Sequence, residues 1–317
     1  MSVAHTVVWA MTPVIVVFLL GFLSAKWHDF DRRQAEALNK LVMNYALPLT
    51  LFIGTVQTPR EVILGDTALF LSFIGIFSVF YFILVLFFRY VLKLNLALSA
   101  ITALTATVPG VPFIGPTVLQ YFFGSDSQIA VSISSIIINV INVPATVILM
   151  TIGTDVHDPS EKSDEHLLIK QIGRAVKAPV VWLPVLGLVL VLVGIRVPGL
   201  VDNSLRLLGV STGGVSLFAS GIVLASYKLS VNRFVVFTVL IKNVVQPAIL
   251  WGILLWLGVK GTILNQAVVT TAIPSVSLAV MLAMQFGMEQ SDTASAAFFS
   301  TILSILTMGV FVALLGM

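Results

Sequence analysis

The sequence lacks cysteine and has few ionisable residues for its 317 positions. The missing cysteines exclude disulfide bonds, thiolate metal sites and a cysteine nucleophile. Charged residues make up 10% of the chain. Its four histidines fall in terminal or connecting segments and are His5, His28, His157 and His166. Neither an HExxH zinc motif nor a phosphate-binding glycine loop followed by Lys-Ser/Thr occurs. These absences argue against an enzyme and against an ATP-driven pump, and we expect no cofactor and no metal.

The residues that are present make the chain strongly apolar. Hydrophobic residues account for 58% of the sequence, and the mean hydropathy is +1.06. Soluble domains do not have this composition, which is typical of a polytopic protein embedded in a lipid bilayer. The net charge of +3 is small, and the basic residues lie between apolar runs. Their placement indicates membrane topology and argues against nucleic-acid binding.

Ten apolar runs predict ten membrane spans. Their approximate limits are 6–25, 38–57, 67–90, 96–123, 128–152, 178–196, 204–226, 234–257, 262–286 and 290–316. The N-terminus has no basic region and no small-residue cleavage site, so the first run is expected to be a span and not a removable signal. A polar connector at residues 153–177 separates five runs from five. We therefore divide the chain into a first repeat (1–152), a cytoplasmic linker (153–177) and a second repeat (178–317).

The distribution of Lys and Arg predicts the orientation. If the N-terminus is outside, twelve basic residues fall in inner loops and four in outer loops. The four outer residues are Arg60, Arg196, Arg206 and Lys260. Because cytoplasmic loops carry the excess of Lys and Arg, both termini are expected on the periplasmic side of the cell (inner) membrane.

The two halves of the sequence share a register. At an offset of 166, Gly21 matches Gly187, and Thr50-Leu51-Phe52 matches Ser216-Leu217-Phe218. At an offset of 165, Asn139 and Asn142 match Ser304 and Thr307. Five spans per half is an odd number, so the second half must be inverted relative to the first. The prediction is an all-α polytopic membrane protein with ten transmembrane helices in a 5+5 inverted repeat.

Spans 4 and 9 are expected to be broken helices that cross. Span 4 contains Pro109, Gly110 and Pro112, and Pro274 takes the corresponding place in span 9. Proline interrupts a helix, and such a break is tolerated in a bilayer only where protein or a water-filled cavity receives the freed backbone groups. Paired broken helices indicate a substrate site. Their second halves would direct helix N-termini, which favour anions, towards that site.

Two serines are expected to complete the second break. Ser275 is placed to cap the second half of span 9, and Ser277 adds another hydroxyl group.

Lys242 is the one basic residue deep inside an apolar run, away from its ends. It lies eight residues into span 8, about 12 Å deep at roughly 1.5 Å per residue. Asn243 and Gln246 can share its helix face. A charge inside the membrane favours a functional site. No Asp or Glu lies deep in an apolar run, so the substrate is the expected counter-charge. The alternatives are that Lys242 titrates with transport or snorkels to the inner interface.

Polar residues on spans 5 and 10 complete the candidate site. Asn139 and Asn142 share one face of span 5, and Ser300, Ser304 and Thr307 share one face of span 10. They are interpreted either as cavity-lining residues or as helix–helix hydrogen-bonding residues. The candidate substrate-binding residues are Val108, Pro109, Gly110, Val111, Ile273, Pro274, Ser275, Ser277, Asn139, Asn142, Lys242, Asn243, Gln246 and Ser304.

The whole chain resembles the auxin efflux carrier family, most closely its bacterial malonate-transporter-type members. The resemblance rests on the ten runs in two halves, on Leu38-Asn39-Lys40-Leu41-Val42 through Ala46-Leu47-Pro48, and on the prolines at both breaks. It implies a scaffold of spans 1, 2, 6 and 7, a moving transport unit of spans 3–5 and 8–10, and a homodimer through the scaffold. Plant members carry asparagine at both crossovers, where this chain has Gly110-Val111 and Ser275-Val276. That departure argues against an auxin-like aromatic substrate.

The resulting hypothesis is a secondary active transporter of a small organic anion, malonate or a related carboxylate, that works by alternating access. A proton or sodium ion is the expected coupling ion, if one is used. The alternatives are a transporter of a larger, auxin-like or bile-acid-like anion on the same scaffold, an anion channel, and a non-transporting membrane sensor.

Overall fold

The computed structural model describes residues 3–65, 67–124, 127–154, 165–227, 229–275, 277–288 and 291–317. Within these ranges the secondary structure is helical and no strand occurs. The first half contains α1 (Val3–Lys26), α2 (Arg32–Leu41), α3 (Leu47–Val56), α4 (Arg60–Gly65), α5 (Thr67–Phe73), α6 (Phe80–Leu86), α7 (Leu96–Thr107), α8 (Val111–Phe123), α9 (Ser127–Ile137) and α10 (Val143–Thr154).

The second half is also helical in its described residues. It contains α11 (Glu165–Val176), α12 (Pro179–Val193), α13 (Gly199–Gly209), α14 (Ser211–Ser226), α15 (Arg233–Leu240), α16 (Gln246–Trp256), α17 (Thr262–Ala272), α18 (Leu278–Gln285) and α19 (Ser291–Leu314). π-helical segments extend or join several of these helices and are Val42–Ala46, Ile74–Val79, Phe87–Val91, Ile138–Asn142 and Ile241–Val245.

Several helical stretches are long and apolar enough to cross a membrane. Within the described residues there are seven: His5–Lys26, Thr67–Val91, Leu96–Phe123, Ser127–Thr154, Gly199–Ser226, Arg233–Trp256 and Ser291–Leu314. There are eight if Lys170–Val176 and Pro179–Val193, which meet at a bend of 62°, form one span. Helices also occupy the intervals predicted for spans 2 and 9, but α2 begins with charged residues and span 9 is interrupted. The count of ten spans therefore stays a prediction.

The predicted linker is partly helical. α10 continues to Thr154, and α11 covers Glu165–Val176. Positions 155–164, which include Ser163, lie outside the described residues.

Two close helix contacts relate the halves of the chain. α1 packs against α14, and α3 packs against α12. A Cβ added at Gly21 would lie 2.0 Å from the backbone oxygen of Phe218, and one added at Gly187 would lie 3.3 Å from the backbone oxygen of Phe52. Glycine permits such approach because it has no side chain. Both the glycines and the phenylalanines are 166 positions apart, so each contact is the counterpart of the other.

Both predicted helix breaks are present. α7 ends at Thr107, Val108 is extended (φ −95°, ψ 114°), and α8 begins at Val111. The second break separates α17 from α18.

The prediction that Ser275 caps the second half-helix was wrong. α18 begins three residues later, at Leu278, and its N-cap residue is Ser277. The Ser277 side chain makes no cap hydrogen bond, and its hydroxyl donates to the hydroxyl of Ser216 on α14 (2.7 Å).

Candidate functional site

The two helix breaks meet inside the protein. The Gly110 N–H donates to the carbonyl oxygen of Pro274 at 3.0 Å. Val108, Val111 and Ile273 are buried around this contact. The void beside it, lined among others by Pro109, Gly110 and Ser275, holds about 10 Å³, roughly the space that one water needs. We call the place where the two breaks meet the crossover. In this conformation the crossover is therefore closed to a carboxylate.

Lys242 and Gln246 connect the C-terminal ends of the two half-helices that lead into the breaks. Lys242 Nζ donates to the carbonyl oxygen of Thr271, near the end of α17 (2.6 Å), and Gln246 Nε2 donates to that of Thr107, the last residue of α7 (2.6 Å). Lys242 Nζ also donates to Gln246 Oε1 (2.9 Å), as their spacing on the helix predicts. The last carbonyl groups of a helix have no intrahelical donor and carry partial negative charge. A cation and an amide therefore satisfy both ends in one continuous network.

Gln246 also extends this network to a third helical stretch. Its Nε2 atom donates to the carbonyl oxygen of Ile76 at 3.1 Å. Ile76 belongs to the π-helical segment Ile74–Val79, and Lys242 to the segment Ile241–Val245. π-Helical insertions recur at functional sites because they shift the helical register locally. Here they occur at corresponding places in spans 3 and 8.

The Lys242 side chain is fully buried. It does not reach the surface, so the snorkelling alternative does not describe this conformation. No carboxylate pairs with it, because the ion pair formed among the described residues is Arg32–Glu36, far along the chain. The sequence suggested the substrate as counter-charge, but in this conformation carbonyl and amide dipoles take that place.

Asn243 does not contact the Lys242 ammonium, although the two are adjacent in sequence. Its Nδ2 atom donates to the backbone oxygen of Ser300 (2.8 Å), and the Ser300 hydroxyl donates to Asn243 Oδ1 (2.6 Å). The same hydroxyl accepts the backbone N–H of Ser275 at 3.2 Å. Ser300 thus joins span 8, span 10 and the second break. The candidate set omitted Ser300, although its position on the Ser304 face is the signal that finds it.

The two asparagines of span 5 have different surroundings. Asn142 Nδ2 donates to the backbone oxygen of Phe77 (2.8 Å), and its Oδ1 accepts the Ser78 hydroxyl (3.3 Å). Asn142 is thus a hydrogen-bonding link between spans 3 and 5. Asn139 is also buried, but its Oδ1 atom has no hydrogen-bond partner. A buried amide oxygen without a donor calls for an explanation, and a ligand or an ion in another conformation would supply one.

The remaining candidate, Ser304, is bonded within its own helix. It is fully buried, and its hydroxyl donates to the carbonyl oxygen of Thr301 (2.7 Å). This bond leaves it with no visible link to the crossover.

Three larger cavities open near the two ends of the broken span 96–123. At one end, a cavity of about 450 Å³ includes Thr50, Pro112, Phe113 and Arg206 in its lining. A neighbouring cavity of about 400 Å³ shares Pro112 and Arg206. We call these two adjoining cavities the Arg206 cleft. At the other end, a cavity of about 460 Å³ is lined by Asp292 among others, and we call it the Asp292 cleft. The closed crossover lies between the two clefts.

Broken helices that meet between clefts at opposite ends of an apolar helical protein define a membrane transporter. The chain belongs to the Membrane transport protein family, which it matches over residues 6–312. It is 33% identical over 293 residues to the uncharacterized transporter YfdV of Escherichia coli K12, with 90% of this chain and 91% of the relative covered. The YfdV protein of Shigella flexneri has the same identity and coverage. Auxin efflux carrier component 5 of Arabidopsis thaliana is 23% identical over 337 residues, with 95% and 94% covered.

These relatives confirm the predicted membership of the auxin efflux carrier family. All of them are named as transporters or carriers, in agreement with the expectation that the chain is not an enzyme. The assignment to malonate-type members stays a prediction.

Proposed function

We propose that the protein is a secondary active transporter of a small organic anion, malonate or a related carboxylate. The observation that carries the proposal is the contact between the two broken helices, Gly110 N–H to Pro274 O, between clefts at opposite ends. Substrate sites of such transporters lie at discontinuous helices near the midplane. Lys242 is fully buried and donates to the carbonyl oxygen of Thr271, three residues before Pro274, and a basic residue buried in a membrane protein favours an anionic substrate.

The proposed architecture is ten spans in a 5+5 inverted repeat. It is supported by the equivalent contacts of Gly21 with Phe218 and of Gly187 with Phe52. It is also supported by the breaks at Pro109 and Pro274, which fall at corresponding places. Spans 1, 2, 6 and 7 would form the scaffold and a homodimer interface, and the other six the transport unit. Both termini would lie in the periplasm.

The arrangement of the clefts supports alternating access. The void at the crossover is too small for malonate, whereas the clefts above and below it measure about 450 Å³ and 460 Å³. A movement of the transport unit against the scaffold would widen the crossover towards one cleft and close it towards the other. Substrate would then pass without a continuous pore. A proton or sodium gradient would drive accumulation.

The direct test is counterflow of labelled malonate in proteoliposomes that contain the purified protein. Unlabelled malonate inside should drive transient accumulation of label above equilibrium, and related dicarboxylates should compete. Imposed proton and sodium gradients then identify the coupling ion. Unitary currents, together with a flux of malonate that never accumulates it against its own gradient, would establish a channel instead. Binding of malonate without any flux would establish a sensor.

A larger organic anion is the second candidate. The relative named auxin efflux carrier component 5 favours it, and the cleft volume of about 450 Å³ lies within the range, roughly 300–1,000 Å³, of pockets for drug-sized ligands. Indole-3-acetate and a bile acid should be included as competitors. Stronger competition by either compound than by succinate would show that the substrate is a larger organic anion and not malonate.

A further inference from the structure

Arg206 occupies an unusual place for a charged residue. It lies in the last turn of α13, seven residues after the helix begins at Gly199. The helical stretch Gly199–Ser226 is long and apolar enough to cross a membrane. At about 1.5 Å per residue, Arg206 is therefore roughly 10 Å along this span. The sequence counted it only as a loop residue that indicates topology. A cation at such a position normally faces a water-filled cavity or a partner.

The guanidinium of Arg206 faces a cavity and has no acidic partner among the described residues. Its side chain is exposed, and it lines both cavities of the Arg206 cleft. It is the one charged side chain among the described residues of either lining. Asp202, one helical turn earlier, would be the natural partner. Both oxygens of Asp202 instead accept hydrogen bonds from Gln57 Nε2, at 2.9 and 3.1 Å. Gln57 thus holds the carboxylate and leaves Arg206 available to a ligand.

The surroundings of Arg206 change from polar to apolar along the cleft. The smaller cavity presents amide and hydroxyl groups, which include those of Gln120, Gln128 and Ser132. The larger cavity leads along Phe113 and other apolar residues towards the crossover. An anion in the cleft would have a charge and hydrogen-bonding groups on one side and an apolar wall on the other. Such a cleft concentrates anions because the low-dielectric walls focus the field of a lone cation.

We propose that Arg206 binds the carboxylate of the substrate in this cleft, at a site distinct from the crossover. The proposal rests on the proposed function and adds a residue that recognises the anion outside the crossover. A guanidinium matches a carboxylate with two parallel hydrogen bonds, and it remains charged under all physiological conditions. The ligand class is therefore a small mono- or dicarboxylate. α13 contributes Arg206, and α8 contributes the opposite wall with Pro112 and Gln120, so a bound anion contacts both sides of the cleft.

Binding can be measured without transport, as the increase in melting temperature of the detergent-purified protein on titration with malonate, succinate and acetate. Malonamide, the uncharged diamide, is the ligand control. Arg206→Gln should raise the apparent Kd for the carboxylates by about tenfold or more, the loss of one charged hydrogen-bonded contact. Arg206→Lys keeps the charge but not the planar fork, and its Kd should lie between those of parent and Arg206→Gln.

Arg196→Gln is the matched control variant. Arg196 has the same charge and lines a neighbouring cavity that does not include Arg206, together with Arg60. Its removal should leave the Kd unchanged. Equal Kd values for parent and Arg206→Gln, equal losses in both Gln variants, or no stabilisation of the parent by any of the three carboxylates would each overturn the proposal.

Counterflow separates this proposal from the proposed function. Arg206-dependent binding without counterflow in the parent would support the site and refute transport of these anions. Counterflow with the same KM in parent and Arg206→Gln would support transport and refute the site.

Discussion

Single residues in the centre of the protein act mainly through the backbone groups that they satisfy. Lys242 and Gln246 donate to the carbonyl oxygens of Thr271 and Thr107, at the ends of the two half-helices. Those carbonyl groups would otherwise be buried without donors. The network explains why a polar cluster is tolerated deep in an apolar protein, and it makes the ammonium a structural group in this conformation.

Lys242→Met tests this role. The change keeps the length and apolar stem, but it leaves Thr271 O and Gln246 Oε1 without the Lys242 donor. Each buried unsatisfied acceptor costs about 1–3 kcal/mol, so the melting temperature in detergent should fall. Lys260→Met removes an exposed lysine and should leave it unchanged. A Lys242→Met variant as stable as the parent would show that relief of a buried charge outweighs the lost hydrogen bonds.

The two asparagines of the segment Ile138–Asn142 form a matched pair. Asn142→Leu removes bonds to Phe77 and Ser78 and should destabilise the protein by about 1–3 kcal/mol. Asn139→Leu removes an amide whose Oδ1 is already unsatisfied and should cost much less. If Asn139 binds the substrate or an ion in another conformation, Asn139→Leu should lose counterflow although its stability changes little. Equal losses of stability in thermal unfolding would contradict this distinction.

At the scale of helices, the breaks and the close contacts determine how the helices are arranged. α7 and α8 are separated because Pro109 cannot continue the helix, and the freed N–H of Gly110 reaches Pro274 O. α1 and α14 approach closely because Gly21 has no side chain. The first feature creates the break at which the substrate site is proposed, and the second holds α1 against α14.

Pro109→Ala and Pro274→Ala should each favour a continuous helix through the break, and each should separate the two breaks where they now meet. We expect the rate of malonate counterflow to fall far more than the amount of folded protein. Pro184→Ala, within α12, is the control and should have little effect on the rate. Normal rate and affinity in both crossover variants would place the substrate site elsewhere.

Gly21→Ala and Gly187→Ala should differ in cost although their positions correspond. The new methyl at Gly21 would overlap backbone oxygen at 2.0 Å, so α1 and α14 must separate, whereas at Gly187 the nearest atoms lie at 3.3 Å. Overpacking of this kind costs about 1–3 kcal/mol. Gly21→Ala should therefore lower the melting temperature more. Similar melting temperatures would mean that α1 adjusts freely against α14.

At the scale of the whole molecule, the proposed mechanism depends on the predicted inversion of the second half of the chain. Both clefts, the crossover and the counterpart contacts at Gly21 and Gly187 agree with this topology. An odd number of spans between the N-terminus and the polar linker is what the inversion requires. Orientation relative to the membrane follows from the distribution of Lys and Arg alone and stays a prediction.

Single cysteines at Ser2 and Ser163 test the topology because the chain has no other cysteine. Both positions lie outside the described residues. In intact cells, the cysteine at position 2 should react with an impermeant reagent, and that at position 163 only with a permeant one. Labelling of both from the same side would remove the inversion.

The sequence by itself determined the elements whose causes are local. The apolar runs form helices, and breaks occur at Pro109 and Pro274 because a proline acts on its own turn. The contact between Lys242 and Gln246 follows from their spacing of four residues. Predictions failed or were incomplete where the cause lies in another part of the chain. Ser277, and not Ser275, is the cap residue of α18, since the length of the irregular segment depends on what packs around it.

Only the tertiary structure decided the partners of the polar side chains. Thr271 O, the acceptor of Lys242, lies 29 positions away, and Thr107 O, the acceptor of Gln246, lies 139 away. Whether Arg206 faces a cleft or a carboxylate depends on Gln57, which binds Asp202 from 145 positions away. Helical periodicity relates residues only within a few turns. The assignment of a buried charge to its partner therefore follows from which helices pack together, and composition and spacing do not contain that information.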